Sequence, residues 1–316
     1  SFIIFIFIIF LFPQNKSYSS LFAESFDDYG LIAIMYHRFN ESKYPSTNIQ
    51  LDIFQEHLKI IESENIQFID PKNFQENLSQ NKKQRKILLT IDDGLLSFYQ
   101  NAWPILKKKK IPFILFVNTR EVGSFNYMNW DQIVELQNAD HVEIGNHSHS
   151  HEYLVDENPE TIKNDILKSI EIFNKKLGKN SSFFSYPFGE YSSEFKKIIK
   201  DLGFNYAFGQ HSGVIDETKD RWELPRFPIN EKYGELTRFK TLMKTLPLKY
   251  KKISPEDKYL LQAKNPPKVK IIFEENISNL EKITCFSNEG QKWRNSKISF
   301  IEKNTLEIKI SEKFIG

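Results

Sequence analysis

Six short apolar runs, at 31–36, 87–91, 111–118, 141–145, 182–186 and 205–209, recur along the chain with amphipathic stretches between them. Leu51, Phe54, Leu58 and Ile61 repeat at helical spacing, as do Ile162, Ile166, Ile170 and Phe173, in a stretch that opens near Asn158-Pro159-Glu160 and stops at Gly178. Strands separated by helices run parallel, because each helix returns the chain to the same edge before the next strand begins. The chain is therefore expected to be α/β. Periodicity does not separate an open sheet from a barrel.

Two of these runs end in residues that carry chemistry. Lys86-Ile87-Leu88-Leu89-Thr90-Ile91 reads as a buried strand stopping at the turn Asp92-Asp93-Gly94, so two carboxylates sit at a strand's C-terminal end. That is the end where parallel folds place their sites, since loops there vary without disturbing the core. Adjacent residues leaving a strand point in different directions, so Asp92 and Asp93 need not share a job. After the run 141–145 comes His147-Ser148-His149-Ser150-His151, which holds three of the seven histidines. His147 and His151 share a face in helical or extended backbone, whereas His149 joins them only on a strand. One carboxylate and two imidazoles suit a borderline divalent cation. Zinc with three protein ligands keeps a position open for water and brings the water's pKa to about 7, and cobalt or nickel are the alternatives. The second carboxylate is left free to move a proton.

Thr90-Ile91-Asp92-Asp93-Gly94 and His147-Ser148-His149-Ser150-His151 resemble the first and second motifs of the polysaccharide deacetylases with a NodB-type domain, carbohydrate esterase family 4. Ile91 stands where the family has phenylalanine. The resemblance extends through Trp130-Asp131-Gln132, Phe184 to Glu190 and Leu224-Pro225-Arg226, over about residues 30 to 230. It implies an irregular (β/α)7-type barrel with catalysis at the strands' C-terminal ends. It also implies Asp92 as general base, Asp93, His147 and His151 as metal ligands, and the backbone N–H of Phe188 as an oxyanion donor.

Ser185 departs from the common third motif, which has an arginine there that orients the base. Tyr186-Pro187-Phe188-Gly189-Glu190 instead resembles the subgroup that includes exported deacetylases of poly-β-1,6-N-acetylglucosamine. Arg226 is a candidate to replace the missing guanidinium, or equally a core-edge arginine after a proline, and with Tyr186 and Trp130 it is also expected to meet substrate. The same subgroup places its histidine motif early, which points to His37, at the end of the run Leu31 to Tyr36, as the general acid. His211 is the rival, and a structural role is open for both. Tyr36, Trp130, Tyr186, Phe188 and Trp222 offer flat faces for sugar stacking, although most aromatics are core residues.

Phe2 to Phe12 are eleven unbroken apolar residues, followed by Pro13 and small polar residues. This length suits the core of a signal peptide, with a membrane anchor as the alternative, over residues 1–20. Export to the periplasm, cell envelope or exterior is expected. Lys plus Arg number 43 against 41 Asp plus Glu, a net charge of +2 that speaks against a nucleic-acid partner. Lys107 to Lys110 close an expected helix from Ser97, where cations complement the macrodipole. Cys285 is the sole cysteine, which excludes an intrachain disulfide.

The deacetylase-type domain is expected over 29–250. A small β module over 265–316 is expected beyond a linker-like stretch, from the alternating runs Val269–Phe273, Lys297–Ile301 and Leu306–Ile310. The function expected is metal-dependent hydrolysis of N-acetyl groups on amino sugars of a polysaccharide. A non-catalytic glycan-binding protein that keeps the fold is the alternative, and a peptidase or other amidase is a weaker rival.

Overall fold

The computed structural model describes residues 7–8, 28–80, 82–274, 277, 280–289 and 292–315. The expected leader therefore lies outside the described residues, except for the two-residue strand Phe7–Ile8, which pairs antiparallel with Cys285 and Phe286. Among the described residues, no helix is long and apolar enough to cross a membrane. The chain divides into two compact units, one formed by Asp27–Glu190 with Glu194–Pro247, the other built mainly from Leu248–Gly316.

The larger unit is a curled, almost wholly parallel sheet. Its strands are β1 (Leu31–Tyr36), β2 (Gln67–Phe68), β3 (Lys86–Ile91), β4 (Phe113–Val117), β5 (Val142–Asn146), β6 (Phe183–Ser185), β7 (Tyr206–Phe208), β8 (Val214–Ile215) and β9 (Phe227–Pro228). The order is β7-β6-β5-β4-β3-β1-β8, with β9 also beside β1 and β2 beside β3, and only β8 runs antiparallel. The six strands expected from the apolar runs all form. β2, β8 and β9 were not foreseen, because two residues are too few to show a period.

Curvature brings the two edges of the sheet together through one short segment. Leu224 pairs with Phe208 of β7, and three residues later β9 pairs with Ile34 and Met35 of β1. The expected irregular barrel closes in this way, with Arg226 at the seam. β1 and β3 are buried at every position because helices cover the outside while the barrel fills the inside. Each fully buried Leu- or Phe-sized side chain contributes roughly 1.5–3 kcal/mol.

Helices α1 (Leu51–Ser63), α2 (Phe74–Ser79), α3 (Trp103–Lys109), α4 (Trp130–Gln137) and α5 (Pro159–Leu177) pack outside the strands, with α1 burying Phe54, Leu58 and Ile61 as the stripe required. α5 starts where Asn158 accepts from the Thr161 N–H at 3.0 Å and stops at Gly178 in the left-handed conformation. Lys107, Lys108 and Lys109 fill the last turn of α3, as the macrodipole argument anticipates, and a π-helical turn over Phe98–Ala102 precedes it. In β5, a Cβ on Gly145 would lie 2.3 Å from the Phe116 ring, so no larger residue fits beside the histidine motif.

The second unit contains a four-stranded antiparallel sheet of Tyr250–Ser254, Lys268–Phe273, Thr305–Lys309 and Lys297–Glu302, in that order. Val269, Ile271, Phe273, Leu306 and Ile308 form its buried face. The strand Tyr250–Ser254 precedes the linker-like stretch, so this sheet draws on residues before 265.

A carboxylate and histidine centre at the strand ends

β1 and β3 end side by side, and the ladder continues one residue further, with Asp92 donating its N–H to the Tyr36 carbonyl at 2.9 Å. Asp92 is thereby held in extended backbone and completely buried. The chain then turns sharply: Asp93 has φ 75° and Gly94 φ 71°. This left-handed step re-aims the second carboxylate, so the two neighbours do different things.

Asp93 faces the histidine motif. Its Oδ1 lies 3.5 Å from His147 Nε2 and 3.4 Å from His151 Nε2, is itself buried, and makes no hydrogen bond among the described residues. His147 uses its other nitrogen, Nδ1, to donate to the Ser185 carbonyl at 2.7 Å, which fixes the tautomer and leaves the Nε2 lone pair directed at Asp93. One ligand atom from each of Asp93, His147 and His151 lies within 4.8 Å of the others. Three ligand atoms this close, one of them a buried carboxylate oxygen without a hydrogen bond, fit a divalent cation. Burial raises the Asp93 carboxyl, but His147, His37 and His151 around it outweigh this and hold it well below the usual carboxylate range. Burial, then the charge of His147, lowers the His151 ring to about 4, so its lone pair is free for a ligand at neutral pH.

Asp92 is held from behind. Arg226, also completely buried, donates from Nη1 to Oδ1 at 2.7 Å and from Nη2 to Oδ2 at 2.8 Å. The guanidinium further donates to Ser185 Oγ at 2.7 Å, Thr90 Oγ1 at 3.0 Å and the Gly209 carbonyl at 3.0 Å, and it lies 5.4 Å from the centre of the Phe116 ring. Burial would push the Asp92 carboxyl up, but the charge of Arg226 and then of His147 keeps it below its ordinary value. Its Oδ2 is 4.0 Å from His147 Nε2, beside the ligand cluster.

Arg226 thus puts a guanidinium on Asp92 in a chain whose position 185 is a serine. The small Ser185 leaves room for it. Fully enclosed, it holds Asp92 and meets no substrate, which corrects the expected substrate contact. Tyr186 is corrected likewise: it is completely buried, packs edge-on against Phe195 and donates its hydroxyl to the Trp222 carbonyl at 2.9 Å. Trp130 opens α4, is half-buried and packs edge-on against Phe173. Tyr36 is buried too, with its hydroxyl on His57 Nδ1.

His37 is half-buried at the end of β1 and close enough to bias Asp92, Asp93 and His151 electrostatically. The His211 carbonyl accepts the Arg226 N–H at 2.9 Å. Phe188 has φ 58°, a strained turn that leaves its ring 38 % exposed and 4.8 Å from the His151 ring. Tyr153 stacks on it at 4.1 Å and 17°. Sequence reasoning passed over Tyr153. Its position two residues past His151 was the available signal.

Residues 79–207 match the model of the polysaccharide deacetylase family. This part of the chain is similar to that family. The poly-β-1,6-N-acetyl-D-glucosamine N-deacetylase of Staphylococcus aureus (strain MRSA252) is 27% identical over 192 residues, a match spanning 56% of this chain and 66% of that protein. Among solved structures, the Streptococcus pyogenes deacetylase PplD in complex with acetate superposes with a TM-score of 0.62 at 22% identity, covering 68% of this chain and 99% of that one. IcaB from Ammonifex degensii does so with a TM-score of 0.62 at 24% identity, covering 68% and 97%. These two likenesses establish the deacetylase-type barrel.

Proposed function

We propose that this protein is an exported, metal-dependent hydrolase that removes N-acetyl groups from amino sugars in a polysaccharide. The observation that carries the reading is the pairing of two unlike carboxylates: Asp93 converging with His147 and His151, and Asp92 held ionised beside them by Arg226. Asp93, His147 and His151 would hold the ion, with zinc the best match to one carboxylate and two imidazoles. When bound, such an ion polarises an amide carbonyl and makes water acidic near neutral pH.

The protein's own groups do the rest. Asp92, ionised and oriented by the guanidinium fork, accepts the proton of the attacking water. Ser185, through its carbonyl, keeps His147 in the tautomer a ligand needs. The Phe188 N–H is assigned to the developing oxyanion, and His37 to protonating the amine as it leaves. The stacked Phe188 and Tyr153 rings give a flat face against which a sugar can rest.

The S. aureus relative's substrate makes a β-1,6-linked N-acetylglucosamine polymer the first to test. Acetate release from that polymer, chitin oligomers, peptidoglycan and acetylated xylan is measured on metal-replete protein, with metal content determined on the same sample. Release that stops with chelator supports the proposal. No release from any of the four sinks it. A glycan-binding protein without turnover was suggested by Ser185 together with the C-terminal module, and Arg226 on Asp92 weakens the first of these grounds.

A further inference from the structure

The loop Ser148 to Glu152 has no ladder or helix to satisfy its amides, and two of its residues, Ser148 with φ 68° and His151 with φ 54°, stand in left-handed backbone. Such conformations cost roughly 1–3 kcal/mol each and persist only where the surroundings over-determine them. Here five successive N–H groups are taken by side chains. Ser148 donates to Asn146 Oδ1 at 2.9 Å, His149 to Asp165 Oδ1 at 2.8 Å, Ser150 to Asp165 Oδ2 at 3.1 Å, His151 to Ser148 Oγ at 3.0 Å, and Glu152 to Ser150 Oγ at 3.2 Å.

Two of these anchors trace to one face of α5. Asp165 grips the loop directly, and Ser169, one turn on, donates to Asn146 Oδ1 at 3.0 Å while accepting from Asn146 Nδ2 at 2.9 Å. From the other side, Thr119 donates its N–H to the Ser148 carbonyl and Arg120 to that of His149. The loop is clamped between the helix and the end of β4.

We infer that Asp165 is a positioning residue for the metal centre: its carboxylate takes two successive amides and so fixes the turn that brings His151 back over His147. The inference rests on the metal-dependent reading above. A carboxylate suits the place because two adjacent N–H groups converge on it, and hydrogen bonds to an ionised acceptor are the stronger kind. An amide side chain offers one oxygen and turns an NH2 group toward the second N–H.

The test compares wild type with Asp165→Asn, Asp165→Ala and, as a control on the same helix, the exposed Asn164→Ala. Three quantities are read: Zn2+ affinity by chelator competition, residue-resolved amide exchange at His149 and Ser150, and kcat and KM at saturating Zn2+. Asp165→Asn should weaken Zn2+ binding about 10- to 100-fold, the usual effect of losing a partner that orients ligands. It should also speed exchange at both amides and leave KM unchanged, while Asn164→Ala alters none of these. Asp165→Asn decides the matter where Asp165→Ala does not fold. Zn2+ affinity within twofold of wild type, or amide protection unchanged, overturns the assignment. Failure of wild type to bind Zn2+ would instead sink the metal-dependent reading, and exchange at His149 and Ser150 would then judge Asp165 alone.

Discussion

Arg226 and Asp92, 134 residues apart, meet through two N–H···O bonds of 2.7 and 2.8 Å with both side chains wholly buried. The pair is fixed by topology, since Asp92 leaves β3 and Arg226 sits at the seam where β9 joins β1. A planar fork matches a carboxylate in a way an ammonium does not. Removing one partner of such a pair costs about 3–5 kcal/mol, because the other charge stays buried and unpaired.

Arg226→Gln, which removes both the fork and its charge, should therefore retain metal but lose turnover, and its loss should depend on pH. Arg226 holds the Asp92 carboxyl below its ordinary value against burial. Once the fork is lost, burial dominates and the carboxyl takes up its proton at higher pH. The acid limb of the pH–rate profile should move upward relative to wild type. An unmoved acid limb with reduced kcat would show that Arg226 does not tune this carboxylate.

The two aspartates should separate in their effects. Asp93→Ala removes one of three converging ligand atoms and should lower metal occupancy in elemental analysis. Asp92→Asn should keep the metal and lose about 10²- to 10⁴-fold in acetate release, because the proton acceptor is gone. Equal metal loss in both variants would mean that the division of labour is wrong.

The apolar runs showed six strands because buried parallel strands are continuous hydrophobic stretches, and the amphipathic stripes showed α1 and α5. The triad was legible for a local reason: Asp93 lies in one turn and His147 and His151 in one loop. Arg226 was harder, since its role depends on a closure made by the single Leu224 bridge and the two-residue β9. Tyr186 was misjudged because an aromatic beside a motif looks the same in sequence whether its ring faces a groove or the core. Asp165 lay within the helical stretch ending at Gly178, as a polar residue beside its buried stripe, but nothing local says what a carboxylate there would hold.

His57 offers a stability test outside the cluster of Asp93, His147 and His151. It is completely buried, stacked 3.8 Å from Phe239, and accepts from the Tyr36 hydroxyl on Nδ1 while donating from Nε2 to the Gly234 carbonyl. This arrangement satisfies a neutral ring, and burial lowers its pKa to about 4. The unfolded chain binds that proton near pH 6.5, so below about 6.5 it holds more protons than the folded one, and stability is lost as pH drops from 6.5 to 4. The full loss is on the order of 3 kcal/mol for this group. His57→Gln should be less stable at pH 7 yet show a flatter curve from pH 6.5 to 4 in denaturant titrations. Parallel curves for the two proteins would refute the lowered pKa.

The last prediction concerns the proton that lets the amine leave. His37 ends β1 beside the carboxylates and biases Asp92, Asp93 and His151, whereas His211 is tied through its carbonyl to the Arg226 backbone. His37→Ala should cost about 10²- to 10⁴-fold in acetate release while metal stays bound, since this residue delivers a proton and holds no ion. Amide substrates should suffer more than activated phenyl esters, because an amine departs poorly unless protonated and a phenolate departs unaided. His211→Ala is the comparison. If the amide-selective loss follows His211 and spares His37, the acid comes from the segment after β7, and the assignment of the β1 end to proton delivery is wrong.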